Sequence, residues 1–414
     1  MIEIGGTVGD YENVLFLEAA RQLRQDGEKV IFVHIGYLPI PSHLGEMKTK
    51  PMQHSVKELQ SHGIQPDFII TRANVDVDEP RRKKVALFCN VVEENVISLP
   101  DVDNIYEVPL ILSNGGLLKR ILREFGLQYV VEPADFSKWK TFVEEARRYD
   151  TVLDVGIVGK YFDTGDFSLT DSYISVIEAV KHACWHNKVA PNIKWINSAV
   201  FEENPKKIKS LKDLDALIVP GGFGSSAVEG KITAVKYARE NEIPYLGLCY
   251  GLQLAVVEFA RNVCGMKNAH TTEIDAKTKY PVVDILPEQI KNMEESNYGA
   301  TMRLGGHKIE LTEGSQVARI YSSTDVVERF RHRYEVNPKF VSILKRNGLV
   351  FSGCAPGGRI MQMMELPHHL FFVATQAHPE FKSRPMRPAP LFNGLIRAAL
   401  LRRGVEQGKL KVKK

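Results

Sequence analysis

The sequence predicts two three-layer α/β domains, each built on a mainly parallel sheet, and three observations carry that expectation. Short β-rich apolar runs alternate with amphipathic stretches of helical length along the whole chain, the pattern of parallel strands covered by helices on both faces. The 414 residues exceed what one ordinary core supports. The pattern also breaks near residues 128–150, where Gly126 ends one helical stretch and Glu132-Pro133 opens a polar one around Trp139–Arg148. The expected domains are residues 1–128 and 151–404, with a linker at 129–150 and a basic tail at 405–414.

In chain order, Ile2 and Ile4 read as a stub of strand. Gly5-Gly6-Thr7-Val8-Gly9-Asp10 then reads as a strand-to-helix loop leading into the amphipathic helix Val14–Gln25. Further strands are expected at Lys29–His34, Asp67–Thr71 and Val85–Phe88, before helix Leu117–Phe125. A domain rarely opens halfway through a parallel sheet, so the first domain is expected to be incomplete at its N-terminal side. In the second, strands Asp154–Val158, Ala216–Val219 and Pro244–Gly247 alternate with helices such as Asp171–His186.

Composition narrows the function classes. Hydrophobic content of 44% with 25% charge describes a soluble globular chain. The net charge of +4 is too small and diffuse for a nucleic-acid partner, and Lys409, Lys411, Lys413 and Lys414 read as a solvated end. No apolar run approaches the ~18 residues of a membrane span, and the start lacks the regions of a signal peptide. Five cysteines (Cys89, Cys184, Cys249, Cys264, Cys354) without CxxC spacing argue against a disulfide framework or zinc finger and fit a reducing cytoplasm.

One cysteine stands apart. Leu246-Gly247-Leu248-Cys249-Tyr250-Gly251 runs from an apolar strand into a helix with a glycine on each side of Cys249. This is a nucleophile elbow: small neighbours let the chain turn sharply and lift the side chain to a helix N-terminus, which favours a thiolate and offers N–H groups to an oxyanion. An isolated cysteine of this kind is more often an inert core residue. Two other strand ends reverse those odds. Val219-Pro220-Gly221-Gly222 opens a glycine loop able to bring an N–H to a carbonyl, and Gln376-Ala377-His378-Pro379-Glu380 places a carboxylate two residues from a histidine.

Together these segments resemble the class I glutamine amidotransferase fold, over residues 151–404. The first half extends the resemblance to the CTP synthase family through Gly45–Val56, Ala86–Val91, Asp101-Val102-Asp103, Gly159-Lys160-Tyr161, Thr301–Gly305 and Arg331–Asn337. The first domain would then be the C-terminal part of a P-loop-like amidoligase. The resemblance implies a ligase that converts UTP to CTP: ATP phosphorylates the uracil O4, and ammonia from glutamine displaces the phosphate. It implies Cys249, His378 and Glu380 as catalytic, and Gly222, Tyr250, Gly251, Leu252, Gln253, Glu273 and Arg333 as glutamine-binding. Asp10, Tyr11, Glu12, Lys48, Thr49, Lys50, Pro51, Met52, Gln53 and Lys84 would meet UTP or inhibitory CTP. Asp101 and Val102 would meet ATP, and Glu3 would hold Mg2+. A homo-oligomer, a dimer of dimers, is implied as well.

The sequence departs from that family in two places. No Gly-x4-Gly-Lys-Ser/Thr run is present, since Gly224–Lys231 has five residues between its glycines and Ile232 after the lysine. An impaired ligase step is therefore expected, with a chain acting only as a glutaminase or as a non-catalytic assembly partner as the alternative. Ser226-Ala227 stands where the family usually has Arg-Gly in a GTP-responsive loop, and losing a guanidinium weakens the case for GTP as an activator. The segment Asp163–Phe167 is longer than expected and has no functional reading.

Overall fold

The computed structural model describes residues 1–127, 133–159, 163–164, 167–168, 173–285 and 302–406. Contacts divide the chain into two compact units, Met1–Glu144 and Glu145–Lys414. Among the described residues no helix is long and apolar enough to cross a membrane. The expected tail beyond residue 406, Lys160-Tyr161 and Thr301 lie outside the described residues.

Unit 1 contains α1 (Val14–Gln25), β1 (Val33–Tyr37), α2 (Lys50–Ser61), β2 (Phe68–Ala73), α3 (Glu79–Cys89), β3 (Val96–Pro100), α4 (Val108–Asn114), α5 (Leu117–Glu124) and α6 (Pro133–Ala146). The strands β1, β2 and β3 form a parallel sheet in that order. Alternation along β2 fills both faces: Ile69 packs with Met52, Val56 and Val85, while Phe68 and Ile70 pack with Ile97 and Leu117. The edge strand β1 leaves Val33, Ile35 and Tyr37 exposed.

Three expectations need correction here. Val85–Phe88 belongs to helix α3, not to a strand. Asp78 caps that helix by accepting from the Arg81 N–H at 3.0 Å, Pro80 sits in its first turn, and Val85, Ala86 and Cys89 are buried at helical spacing while Leu87 and Phe88 are exposed. The third strand is instead Val96–Pro100. No strand forms at Ile2–Ile4; Ile2 is exposed, and Ile4 packs loosely beside Leu17 and Ile64. The strand expected at Lys29–His34 begins only at Val33 and runs on to Tyr37, while Asp10 closes the glycine loop by accepting from the Thr7 N–H at 2.7 Å.

Unit 2 contains β4 (Val152–Gly159), the hairpin β5 (Asp163–Thr164) and β6 (Phe167–Ser168), α7 (Ile174–His186), β7 (Ala190–Asn197), α8 (Ala199–Glu203), β8 (Ala216–Val219), α9 (Val228–Glu240), β9 (Tyr245–Leu248), α10 (Tyr250–Asn262), β10 (Ala269–Thr271) and β11 (Tyr280–Ile285). After these come β12 (Arg303–Leu311), α11 (Gln316–Tyr321), β13 (Asp325–His332), β14 (Tyr334–Val336), α12 (Pro338–Arg346), β15 (Val350–Cys354), β16 (Met361–Glu365), β17 (Phe372–Thr375) and α13 (Pro390–Glu406). A nine-stranded sheet has the order β13-β12-β15-β16-β17-β9-β8-β4-β7, and β10, β11 and β14 form a small second sheet. The run from β17 to β7 is parallel. Leu217, Val219 and Tyr245 pack under α9 and α10 on one face, and Ile218, Leu246 and Leu248 pack with residues of α7 and α13 on the other. Burial of both faces explains why these strands read as unbroken apolar runs.

Asp215 fastens the last helix to this sheet. It accepts from Arg403 Nε at 2.9 Å and Nη2 at 2.7 Å, and from the Asp154 N–H at 2.7 Å. Its side chain is 9% exposed and that of Arg403 29%. Removing one partner of a deeply buried pair costs about 3–5 kcal/mol, and the partial exposure of Arg403 lowers that to about 2 kcal/mol. Arg403→Ala is expected to lower the stability of unit 2 by that amount in urea denaturation followed by near-UV circular dichroism. An unchanged midpoint would show that the pair does not hold α13.

Candidate active site

Strand β9 ends at Leu248 and α10 begins at Tyr250, so Cys249 alone makes the turn, with φ 50° and ψ −97°. A side-chain-bearing residue seldom holds such a conformation unless its surroundings impose it. Here the surroundings leave no room beside the turn. A Cβ at Gly251 would lie 2.2 Å from the Val219 carbonyl oxygen, and one at Gly247 would lie 2.7 Å from the Tyr245 hydroxyl oxygen. That hydroxyl donates to the Gly251 carbonyl at 3.0 Å, tying the first turn of α10 back to the strand. The Cys249 sulfur thus stands at the start of a 13-residue helix whose first N–H groups have no helical acceptor.

Beyond β17 the chain reaches His378, held out of helical conformation before Pro379. His378 Nδ1 is 2.7 Å from Glu380 Oε1, and Glu380 is buried. Gly221 is the meeting point of the loop with both side chains: a Cβ there would be 2.8 Å from His378 Cε1 and 3.6 Å from Cys249 Cβ. Burial opposes a charge on His378, but contact with Cys249 and Glu380 outweighs it and raises the imidazole to about 10 from its usual 6.5. The favoured resting form is an imidazolium, already carrying a proton that a departing amine can take.

The glutamine-site expectations gather around this centre in part. Glu273 Oε1 accepts from the Gly224 N–H at 3.0 Å, and the Tyr250 hydroxyl donates to the Gly224 carbonyl at 3.1 Å, so both hold the glycine loop. Gly222 lies against the Tyr250 ring. Leu252 and Gln253 are buried one turn into α10, and Gln253 Nε2 donates to the Tyr334 carbonyl at 3.0 Å. Arg333 is exposed where the chain leaves β13 of the large sheet for β14 of the small one. The Arg331 carbonyl, at the start of that crossing, lies 3.9 Å from Cys249 Sγ.

Sequence reading assigned no role to a buried cluster that pins the crossing. Glu335, fully buried, accepts from Arg303 Nε at 3.0 Å and lies 2.8 Å from His332 Nε2. Arg303 and His332 face each other across β12 and β13. Gln376 was also missed; the signal for it was its place two residues before His378 at a strand end.

The unit 1 expectations are more scattered in character. Lys48 pairs with Glu46 at 2.7 Å, Lys50 lies 5.8 Å over the Phe88 ring, and Lys84 is exposed. Thr49 caps α2 in sequence position and accepts from Gln53 Nε2 at 3.1 Å, Pro51 lies in the first turn, and Met52 and Gln53 are buried. Asp101 pairs with Arg72 at 2.9 Å beside half-buried Val102, and Tyr11 and Glu12 are exposed. Glu3 is exposed, and among the described residues no group of three or more His, Cys, Asp or Glu side chains could hold a metal ion. Mg2+ is ordinarily held by one or two carboxylates together with substrate phosphates and waters, so Glu3 would supply one oxygen donor and the nucleotide the rest.

Gly251→Ala tests the elbow. In a helix this change ordinarily stabilises by about 1 kcal/mol. Here the new methyl meets backbone, which cannot swing aside, so a net loss of about 2 kcal/mol and at least a hundredfold drop in any Cys249-dependent activity are expected. A stabilised, active variant would refute the close approach.

Comparison with known proteins bears on both units. Residues 1–127 match the family described as CTP synthase N-terminus, and residues 168–398 match the family described as glutamine amidotransferase class-I. The CTP synthase of Thermococcus gammatolerans is 51% identical over 402 residues, covering 96% of this chain and 73% of the relative. That of Methanocaldococcus jannaschii is 49% identical over 407 residues, covering 97% and 74%. The glutaminase domain of a Trypanosoma brucei CTPS, solved with bound acivicin, is similar with a TM-score of 0.56 and 36% identity, covering 60% of this chain and 94% of that one. An amidotransferase elbow and an amidoligase half thus occur in one chain that shares half its residues with these enzymes along nearly its whole length, and the chain belongs to the CTP synthase family of glutamine-dependent ligases.

Proposed function

We propose that unit 2 hydrolyses L-glutamine at Cys249 and that the ammonia released aminates UTP to CTP in an ATP-dependent step on unit 1. The observation that carries the reading is the convergence of Cys249, His378 and Glu380 at the ends of neighbouring strands β9 and β17. The Cys249 thiolate attacks the side-chain amide carbon of glutamine, and the negative charge on its oxygen falls to N–H groups of the Gly221-Gly222 loop and the first turn of α10. His378 gives its proton to the departing ammonia. A water then attacks the thioester with His378 as base, releasing glutamate.

For unit 1, Lys48, Lys50 and Lys84 supply positive charge suited to the UTP triphosphate, and Asp10, Tyr11 and Glu12 supply polar edges for its base or ribose. Asp101 and Val102 are the ATP contacts in this reading, magnesium accompanies ATP near Glu3, and CTP competes at the UTP site. The enzyme is cytoplasmic and assembles as a dimer of dimers in the same reading, for which the exposed Val33, Ile35 and Tyr37 of β1 offer apolar surface. GTP is the weakest of the proposed effectors, because Ser226-Ala227 carries no guanidinium.

Cys249→Ala is expected to lower glutamine hydrolysis by more than about 10^4-fold; undiminished turnover would remove the assignment. Supplying ammonium bypasses the thiol and tests unit 1 alone. The purified 414-residue polypeptide contains no Gly-x4-Gly-Lys-Ser/Thr run, and phosphoryl transfer depends on placing phosphates, so little or no CTP is expected from ammonium. Robust ammonium-dependent CTP formation would overturn that part. Hydrolysis without synthesis would favour the glutaminase-only alternative, and neither activity would favour the assembly partner.

The pH dependence follows from His378. Its pKa is raised on folding, so the proton it donates, and the stability that proton contributes, are present below about 6.5 and are lost as pH climbs through about 10. The kcat/KM for glutamine should therefore keep its alkaline limb far above 6.5, and Glu380→Gln should move that limb to lower pH. A limb near 6.5 in the native enzyme would show that Glu380 and Cys249 do not sustain the imidazolium.

A further inference from the structure

The nucleophile has a hydrogen-bond donor that the elbow and the His-Pro-Glu run do not account for. Gln376 is fully buried just after β17, and its Nε2 lies 3.6 Å from Cys249 Sγ, within reach for a sulfur acceptor. Neighbouring groups decide that this atom is the amide nitrogen and not the oxygen. The Tyr334 carbonyl can only accept, so the Gln253 atom 3.0 Å from it must be the NH2 group. The second hydrogen of that group faces Gln376 Oε1 at 3.4 Å, and this leaves the Gln376 NH2 group toward the sulfur. One backbone carbonyl thus orients two amides in turn. A purely packing role would leave a buried NH2 group in need of another acceptor, and the acceptor it meets is the reacting atom.

We propose that Gln376 is a further catalytic residue: its side-chain N–H stabilises and aims the Cys249 thiolate, with Tyr334 and Gln253 keeping that N–H in place. The inference rests on Cys249 being the nucleophile, as in the function proposed above. A hydrogen bond to a charged acceptor is worth about tenfold or more in equilibrium. The same bond blunts each thiolate, because nucleophilicity falls with basicity along a slope of about 0.4–0.5, so a tenfold gain in thiolate costs about threefold in intrinsic reactivity. Two opposed effects of unequal size give a signature that packing alone would not.

Gln376→Met keeps the volume and removes the donor. The probe is iodoacetamide on the full chain, with Cys249→Ala as the background for other thiols; burial raises Cys89 and Cys264 to about 11 and also raises Cys184 and Cys354. Near pH 7 the variant should alkylate about threefold more slowly, its rate–pH curve should move to higher pH, and its alkaline plateau should equal or exceed that of the native chain. Glutaminase kcat should fall while KM stays within about twofold. If Gln376→Met fails to fold by near-UV circular dichroism, Gln253→Met, which leaves Gln376 in place but unanchored, should shift the curve in the same direction. A curve that superposes on the native one for the folded variant, while Cys249→Ala abolishes glutaminase, overturns the inference and leaves the function intact. Undiminished hydrolysis by Cys249→Ala overturns both.

Discussion

No side chain fits between the first turn of α10 and the end of β8, and the site depends on that contact. Gly251 lets the helix start directly against the Val219 carbonyl, and Gly247 makes room for the Tyr245 hydroxyl that holds the turn. The cost is a strained Cys249 backbone, of the order of 1–3 kcal/mol. Sheet order does the rest. Because β17, β9 and β8 are adjacent and parallel, the loops after all three open on one edge. Residues as far apart in sequence as Gly221, Cys249 and His378 meet there without any of them leaving its strand end by more than a few positions.

Electrostatics at this edge work against burial. His378 is largely enclosed, and enclosure alone would strip its proton, as it does at His182, which burial lowers to about 4. The two histidines differ in partners. His182 shares a hydrogen bond with the neutral Ser383 hydroxyl at 2.9 Å, whereas His378 sits between a thiol and a buried carboxylate. Burial works against the charge at both; at His182 it prevails, and at His378 contact with Cys249 and Glu380 outweighs it.

Much of this was readable in advance, and the reason is local. Strands β8 and β9 are buried on both faces, so their apolar runs stood out, and the glycines around Cys249 mark a turn that few other residue types allow. Misreadings fell where the same apolar content serves two structures. Val85–Phe88 has the composition of a strand, but the capping Asp78 and the first-turn Pro80 that make it helical lie seven and five residues upstream of Val85. Gln376 left only its place two residues before His378, and the Arg303–Glu335–His332 cluster left no such trace. Their roles come from contacts between segments as distant as residues 253 and 376, which spacing along the chain does not encode.

The chain passes from the large sheet to the small one between His332 and Tyr334, and Glu335 clips the far side back onto Arg303. So short a crossing has no slack. Two residues before Arg333, the Arg331 carbonyl lies beside the sulfur, so the boundary between the sheets and the edge of the site are the same stretch of backbone. The small sheet of β10, β11 and β14 therefore borders the thiol through a single connecting residue, and one buried carboxylate fixes that border to the large sheet.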